Sequence, residues 1–171
     1  MKAVEKYDPE VNSWTAVASM SSKRLSLGLC ELGGFLFAVG GDDGEAKFNT
    51  VEKYDPETDS WTGVTSMSSK RSRLGLCELG GCLYAVGGYD GKADLNTVER
   101  YDPDEDSWTD VASMSSNRSG VGLCGAVLRR SGVDRLISCL LYTSDVADDL
   151  LCLVIGGSLI CNVTYPQLTK H

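Results

Sequence analysis

The chain has 171 residues, enough for one domain with a modest core, and its 16 Lys and Arg against 24 Asp and Glu give a net charge of −8. This charge repels phosphate backbones and anionic membrane surfaces, so we expect neither nucleic acid nor membrane as a partner. The only histidine is His171. We therefore exclude Ser-His-Asp and Cys-His nucleophiles and two-histidine zinc sites, and we expect no enzyme activity, no bound metal and no cofactor.

The sequence repeats with a period of 47 residues. VEKYDPEVNSWT begins at Val4, VEKYDPETDSWT at Val51 and VERYDPDEDSWT at Val98, and 35 of 47 positions are identical between residues 4–50 and 51–97. A period of about 47 fits a four-stranded propeller blade or a helical armadillo-type repeat.

The elements within one unit favour the blade. Residues 25–32 and 35–39 are short apolar runs bounded by Gly-Gly pairs, which predicts two strands buried on both faces. Residues 51–55 alternate apolar and polar, a Pro-containing turn follows, and residues 60–64 are more polar. Four strands that become more polar from first to last match a radial blade, whose inner strands are covered by neighbouring blades.

Glycine and aromatic positions fit the same architecture. Gly28 and Gly75 lie on the predicted first strands, where the blades crowd near the propeller axis. Each unit also pairs a tyrosine with a tryptophan on the next strand, and we expect these rings to pack one blade on the next. The pairs are Tyr7 with Trp14, Tyr54 with Trp61 and Tyr101 with Trp108.

The unit resembles the kelch repeat. The resemblance rests on the double glycine in AVGGDDG and AVGGYDG, on the Tyr and Trp seven residues apart in YDPEVNSW, YDPETDSW and YDPDEDSW, and on an arginine that opens each first strand. The variant of the repeat found here, VExYDPxxxxW followed by SMSSxR, is similar to that of the kelch-like adaptors. These proteins carry a BTB domain and recruit substrates to cullin-type ubiquitin ligases. The resemblance therefore implies a partial β-propeller, all-β, with two complete four-stranded blades plus parts of two others.

The period divides the chain into five segments. We expect the outer strands of an incomplete blade, two kelch blades, the first strand of a truncated blade and a non-repeat tail, at residues 1–23, 24–70, 71–117, 118–124 and 125–171. In the tail the register is lost, and CLLYTSDVADDL at residues 139–150 resembles translated sequencing adaptor. We interpret the tail as artefactual and expect it to share no fixed packing with the blades.

Seven cysteines occur without a CxxC pair, several of them inside apolar runs. We expect reduced, buried thiols and a cytoplasmic protein. The function that the resemblance implies is a protein-interaction module, the propeller of a cullin-ligase adaptor that would reach the cullin only through a BTB domain not present in these residues. The alternatives are an actin-binding or cytoskeletal kelch protein, or a non-functional truncated fragment.

The candidate site is one rim of the propeller. In antiparallel blades, the connection into the first strand and the loop from second to third strand emerge on the same rim. The resemblance places recognition there, by the arginine and following serine of the first strand and by the residue after the double glycine. The positions of this sequence that match those of the family are Arg24, Arg71, Ser72, Tyr89, Arg118 and Ser119. Arginines of this kind can clamp carboxylates, so we expect a short acidic peptide as ligand. The alternative is that they pair with the loop acids Asp43, Glu45 and Asp90 and hold the blades together.

Overall fold

The structure is a computed structural model that describes residues 2–123 and the backbone of three further strands at residues 127–130, 133–136 and 142–143. These residues form strands and turns, which confirms the all-β class. Among them there is no helix of the length and apolarity that crossing a bilayer requires.

Two four-stranded antiparallel sheets form the body of the fold. The first complete blade consists of β3 (Gly28–Leu32), β4 (Phe35–Val39), β5 (Val51–Asp55) and β6 (Ser60–Val64). The second consists of β7 (Gly75–Leu79), β8 (Cys82–Val86), β9 (Val98–Asp102) and β10 (Ser107–Val111). In each blade the strands lie side by side in chain order, as predicted.

Parts of two further blades flank these sheets. β1 (Val4–Asp8) and β2 (Ser13–Val17) form a hairpin that places Tyr7 opposite Trp14, the register that β5 and β6 also have. β11 (Val121–Gly122) follows the second blade at the place of a first strand. The prediction of a partial propeller with two complete blades is therefore confirmed.

The first strand is shorter than predicted. The prediction began it at residue 25, but β3 begins at Gly28. Ser26 has φ 52° and the corresponding Arg73 has φ 54°, and this left-handed conformation interrupts an extended strand. Gly120, at the same position of the third copy, has φ 66°. Glycine favours this conformation, so the third copy of the sequence indicated the turn.

Close contacts join one blade to the next near the axis. A Cβ atom built on Gly28 would lie 2.7 Å from the Cβ of Leu76 in the second blade, which confirms the crowding expected there. The core between the sheets includes Phe37, Val39 and Leu83, each at most 2% exposed.

The outer strands are joined by the repeated aromatic residues. Trp61 Nε1 donates to the carbonyl of Ala18, 2.9 Å away, and Trp108 Nε1 donates to the carbonyl of Thr65 at 3.0 Å. Asp59 accepts the backbone N–H of Ala18, and Asp106 accepts that of Thr65. The expected packing of each tryptophan on the preceding blade is confirmed for these two, and it includes a hydrogen bond.

The tail contributes backbone strands of its own. β12 (Val127–Arg130) pairs with β13 (Val133–Leu136), and β14 (Tyr142–Thr143) pairs with β11. The expectation that the tail shares no packing with the blades is therefore wrong at β14, because the open edge of β11 offers N–H and C=O groups to an extended segment. Most of the adaptor-like run lies outside the described residues.

Candidate functional site

The predicted rim exists, and we call it the arginine rim. It consists of the connections at residues 20–27, 67–74 and 114–120 and the loops at residues 41–49 and 88–96. Isolated β-bridges join these segments, pairing Ser72 with Tyr89 and Leu95 with Arg118. The expectation that the connections and loops emerge on one rim is confirmed.

Arg71 lies inside this rim and not on its surface. It is 0% exposed, and its Nε and Nη2 atoms donate to Glu99 Oε1 at 3.1 and 2.9 Å. Its Nη1 donates to the carbonyls of Gly87 and Thr97 at 2.8 and 3.0 Å. Arg71 therefore ties the connection to the second and third strands of its own blade.

Arg24 repeats this arrangement in the first complete blade. It is 4% exposed, it pairs with Glu52 at 2.9 Å, and it donates to the carbonyls of Gly40 and Thr50. Direct contact of Arg24 and Arg71 with a partner, which the sequence predicted, is contradicted by this burial. Pairing with the loop acids is not what the structure shows either, since the partners are the buried Glu52 and Glu99.

The two glutamates are the residues that sequence reasoning missed. Glu99 also accepts the N–H groups of Ser68 and Ser69, and Glu52 accepts that of Ser21 at 2.8 Å. Burial alone would raise the pKa of Glu52, but the hydrogen bonds from Ser21 and the pairing with Arg24 outweigh it and lower the pKa. The available signal was a glutamate 28 residues after the arginine in both complete blades.

The double glycine makes room for this network. Gly41 has φ 88°, and a Cβ on it would lie 2.6 Å from the carbonyl oxygen of Leu25. Gly41 N–H donates to the carbonyl of Arg71 in the next blade at 2.8 Å. Only glycine combines this backbone conformation with so close an approach.

The solvent side of the rim carries an arginine that the sequence did not single out. The guanidinium of Arg73 lies 5.2 Å from the centre of the Tyr89 ring, and its side chain is 49% exposed. Its nearest carboxylate, on Asp94, is 3.9 Å away. Because the repeat places Ser26 and Gly120 at this position, no recurring pattern identified Arg73.

The other predicted site residues are brought together around Tyr89. Ser72 is 1% exposed and donates its hydroxyl to the carbonyl of Tyr89 at 3.3 Å, and Ser119 is 9% exposed. Arg118 and Tyr89 are half-buried. Tyr89, Arg73 and Arg118 are therefore the large side chains that this part of the rim offers to a partner.

Two of the three loop acids, Asp43 and Asp90, are engaged with their own loops. Asp43 Oδ1 accepts the N–H groups of Glu45 and Ala46, and Asp90 Oδ1 accepts those of Lys92 and Ala93. These bonds lower the pKa of both carboxyls. Asp43 and Asp90 therefore brace the loops, while Arg73 is exposed and only loosely paired.

Nothing in the described part of the chain forms a metal centre, because no three His, Cys, Asp or Glu side chains cluster there. The arrangement of the rim suits surface recognition: a rigid hydrogen-bonded base with an aromatic ring and cations above it.

Comparison with known proteins points to one family. The model of the kelch motif matches residues 23–68 and 70–115, more than half of the chain. Kelch-like protein 5 of Homo sapiens is 60% identical over 47 residues, and kelch-like protein 1 of Mus musculus is 51% identical over 47 residues. Each alignment covers 28% of this chain and 6% of the relative, so the matched segment spans only a small fraction of those proteins.

Proposed function

This chain belongs to the kelch-repeat family, and we propose that it is a protein-interaction module, the propeller part of a substrate-recruiting adaptor of a cullin-type ubiquitin ligase. The kelch-like names of the relatives support the adaptor role. Contact with the cullin would fall to a BTB domain outside these residues. Among the described residues, Cys30 and Cys82 are not joined in a disulfide, which supports a cytoplasmic setting.

We place the docking surface on the arginine rim, and the observation that carries this is the pair of Arg73 and Tyr89. A guanidinium stacked on an aromatic ring is held in place and still presents its N–H donors to a carboxylate. Asp43 and Asp90 stay charged but accept backbone N–H groups of their own loops, which leaves the exposed guanidinium of Arg73 to bind a carboxylate of a short acidic peptide. Arg24 and Arg71 contribute indirectly, since they hold the loops in position.

Peptide selection on the 171-residue chain tests the docking surface. We expect selected peptides to be rich in Asp and Glu. We expect the affinity for the best peptide to fall by about fivefold or more, which is roughly 1 kcal/mol, in each of the variants Arg73→Ala, Tyr89→Ala and Arg118→Ala. Lys6→Ala removes an exposed cation from β1 and is the matched control. Selection of peptides without acidic residues, or an equal loss for Lys6→Ala, contradicts the proposal.

The adaptor role has a separate test. The transcript that encodes these residues should be read upstream, and a BTB-coding sequence in frame with the blades is expected. If the upstream sequence instead encodes another kind of domain, the adaptor role is wrong, while the acidic-peptide surface is unaffected.

A further inference from the structure

A cavity lies between the two complete blades, on the rim opposite the arginine rim. It encloses about 550 Å³ and opens beside the turns that join β3 to β4, β7 to β8 and β9 to β10. This volume is in the range of sites that hold small molecules or single side chains of a partner. We call it the interblade cleft.

The interior of the interblade cleft is aromatic. Phe37 and Tyr101 are 2% and 3% exposed, and their ring centres lie 5.6 Å apart. Phe35, from the same strand as Phe37, is half-buried. The ammonium group of Lys53 already lies 4.6 Å from the centre of the Phe35 ring, so a cation over an aromatic face is compatible with this cleft.

Carboxylates line the cleft as well. Glu31 and Glu78 each give one oxygen to the backbone N–H of a turn glycine, Gly34 at 2.7 Å and Gly81 at 2.8 Å. These bonds orient both carboxylates. Asp104 contributes a third, exposed carboxylate. Against Lys53, the lining therefore carries a formal charge of −2.

Packing of the repeat does not require a ring at the position of Phe35. The next unit has Cys82 there and keeps a ring, Tyr84, in the place of Phe37, and both units form the same four-stranded sheet. The accessible ring of the cleft is thus particular to the first complete blade.

We propose that the interblade cleft is a second docking site, which takes an arginine side chain from a basic segment of a partner protein. The guanidinium plane stacks on the half-buried ring of Phe35 in place of the Lys53 ammonium, above the buried rings of Phe37 and Tyr101. Its N–H groups donate to the carboxylates of Glu78 and Asp104. Arginine fits better than lysine because it is planar and more weakly hydrated. This site is independent of the acidic-peptide surface, since it lies on the other rim and selects the opposite charge.

The experiment titrates the ¹⁵N-labelled 171-residue chain with the peptide Gly-Ala-Gly-Arg-Gly-Ala-Gly and follows the amide spectrum by NMR. We expect saturable shifts of the Gly34 and Gly81 amides, which report on the two oriented carboxylates. The same peptide with citrulline has nearly the same shape without the charge. It should bind at least threefold more weakly.

Two matched variants separate the cleft from general attraction to an acidic protein. Asp104→Asn removes a carboxylate from the cleft, and Glu57→Gln removes one at the same position of the preceding unit, outside the cleft. Asp104→Asn should lower the affinity for the arginine peptide at least threefold. Glu57→Gln and Arg73→Ala should leave this affinity unchanged. Equal effects of Asp104→Asn and Glu57→Gln, equal binding of the citrulline peptide, or no saturable shift overturns the proposal. The spectrum itself shows whether each variant is folded.

Discussion

The hairpin of β1 and β2 and the hairpin of β9 and β10 have nearly the same sequence and the same register, but they lie in different surroundings. The ring of Tyr7 lies 5.2 Å from that of Trp14, and the ring of Tyr101 lies 5.1 Å from that of Trp108. Nevertheless, Tyr7 is 42% exposed and Tyr101 is 3% exposed. Tyr101 is covered by the adjacent strand β8 of its own blade and by Phe37 of the preceding blade. Burial in this fold is therefore supplied by neighbouring strands and blades, more than by the sequence of a hairpin.

The same difference extends to charged residues. Glu99 on β9 is 1% exposed and pairs with Arg71, whereas the equivalent Glu5 on β1 is exposed. Burial raises the pKa of Tyr101, and its hydrogen bond to Asp106 raises it further. Matched substitutions in the two hairpins test each of these differences.

The largest effect is expected from Glu99→Gln. The substitution leaves the buried Arg71 guanidinium without a counter-charge, and we expect a loss of about 3–5 kcal/mol in the free energy of unfolding. Glu5→Gln should change it by less than about 0.5 kcal/mol, as exposed substitutions do. Urea unfolding followed by tryptophan fluorescence measures both. Similar losses for the two variants would show that the Arg71–Glu99 pair is not what distinguishes the hairpins.

A smaller effect is expected from Tyr101→Phe. Removal of the hydroxyl breaks its 2.8 Å hydrogen bond to Asp106, and we expect a loss of about 1–2 kcal/mol. Tyr7 donates to Asn12 at an exposed position, so Tyr7→Phe should cost less than about 0.5 kcal/mol. The same unfolding assay applies, and a larger loss for Tyr7→Phe would reverse the comparison.

Acid should weaken the buried pair of the first complete blade. The pKa of Glu52 is lower in the folded protein than its ordinary value of 4.5. Its contribution to stability is therefore present above about pH 4.5 and is lost as the pH falls through the folded-state pKa. In Glu52→Gln this part of the pH dependence should disappear, and in Glu5→Gln it should remain. Urea midpoints between pH 7 and pH 3 test this, and parallel curves for wild type and Glu52→Gln would contradict it.

The smallest effect on stability is expected from Arg118→Ala. Arg24 and Arg71 have Glu52 and Glu99 28 residues further on, but the residue 28 positions after Arg118 is Val146. Without that carboxylate, we expect a change of less than about 0.5 kcal/mol. A loss as large as that expected for Glu99→Gln would show that Arg118 makes another structural contact.

Sequence reasoning succeeded where the cause is local or repeats. The Gly-Gly pairs, the Asp-Pro turns and the 47-residue period predicted the four strands of each complete blade, and the period alone showed that these blades are alike. It also placed Ser72, Tyr89 and Arg118 on one rim, because antiparallel strands leave few choices for where loops emerge.

The roles of the charged residues required the tertiary structure. Arg71 and Arg73 are two residues apart in one segment, yet Arg71 is buried against Glu99 and Arg73 is exposed on Tyr89. The left-handed conformation at residue 73 and the packing of the next connection decide which guanidinium faces solvent. Neither feature has a consistent residue pattern across the three copies.

The sequence by itself determined the repeating unit, its strand order and the family resemblance, since these depend on local propensity and on a pattern that recurs three times. The tertiary structure alone decided which copies of a repeated residue are buried and which are exposed, and where a cleft opens between blades. The physical reason is that a blade covers its neighbour and not itself. Identical residues such as Tyr7 and Tyr101 therefore acquire different burial and different energetic weight from the strands that surround them.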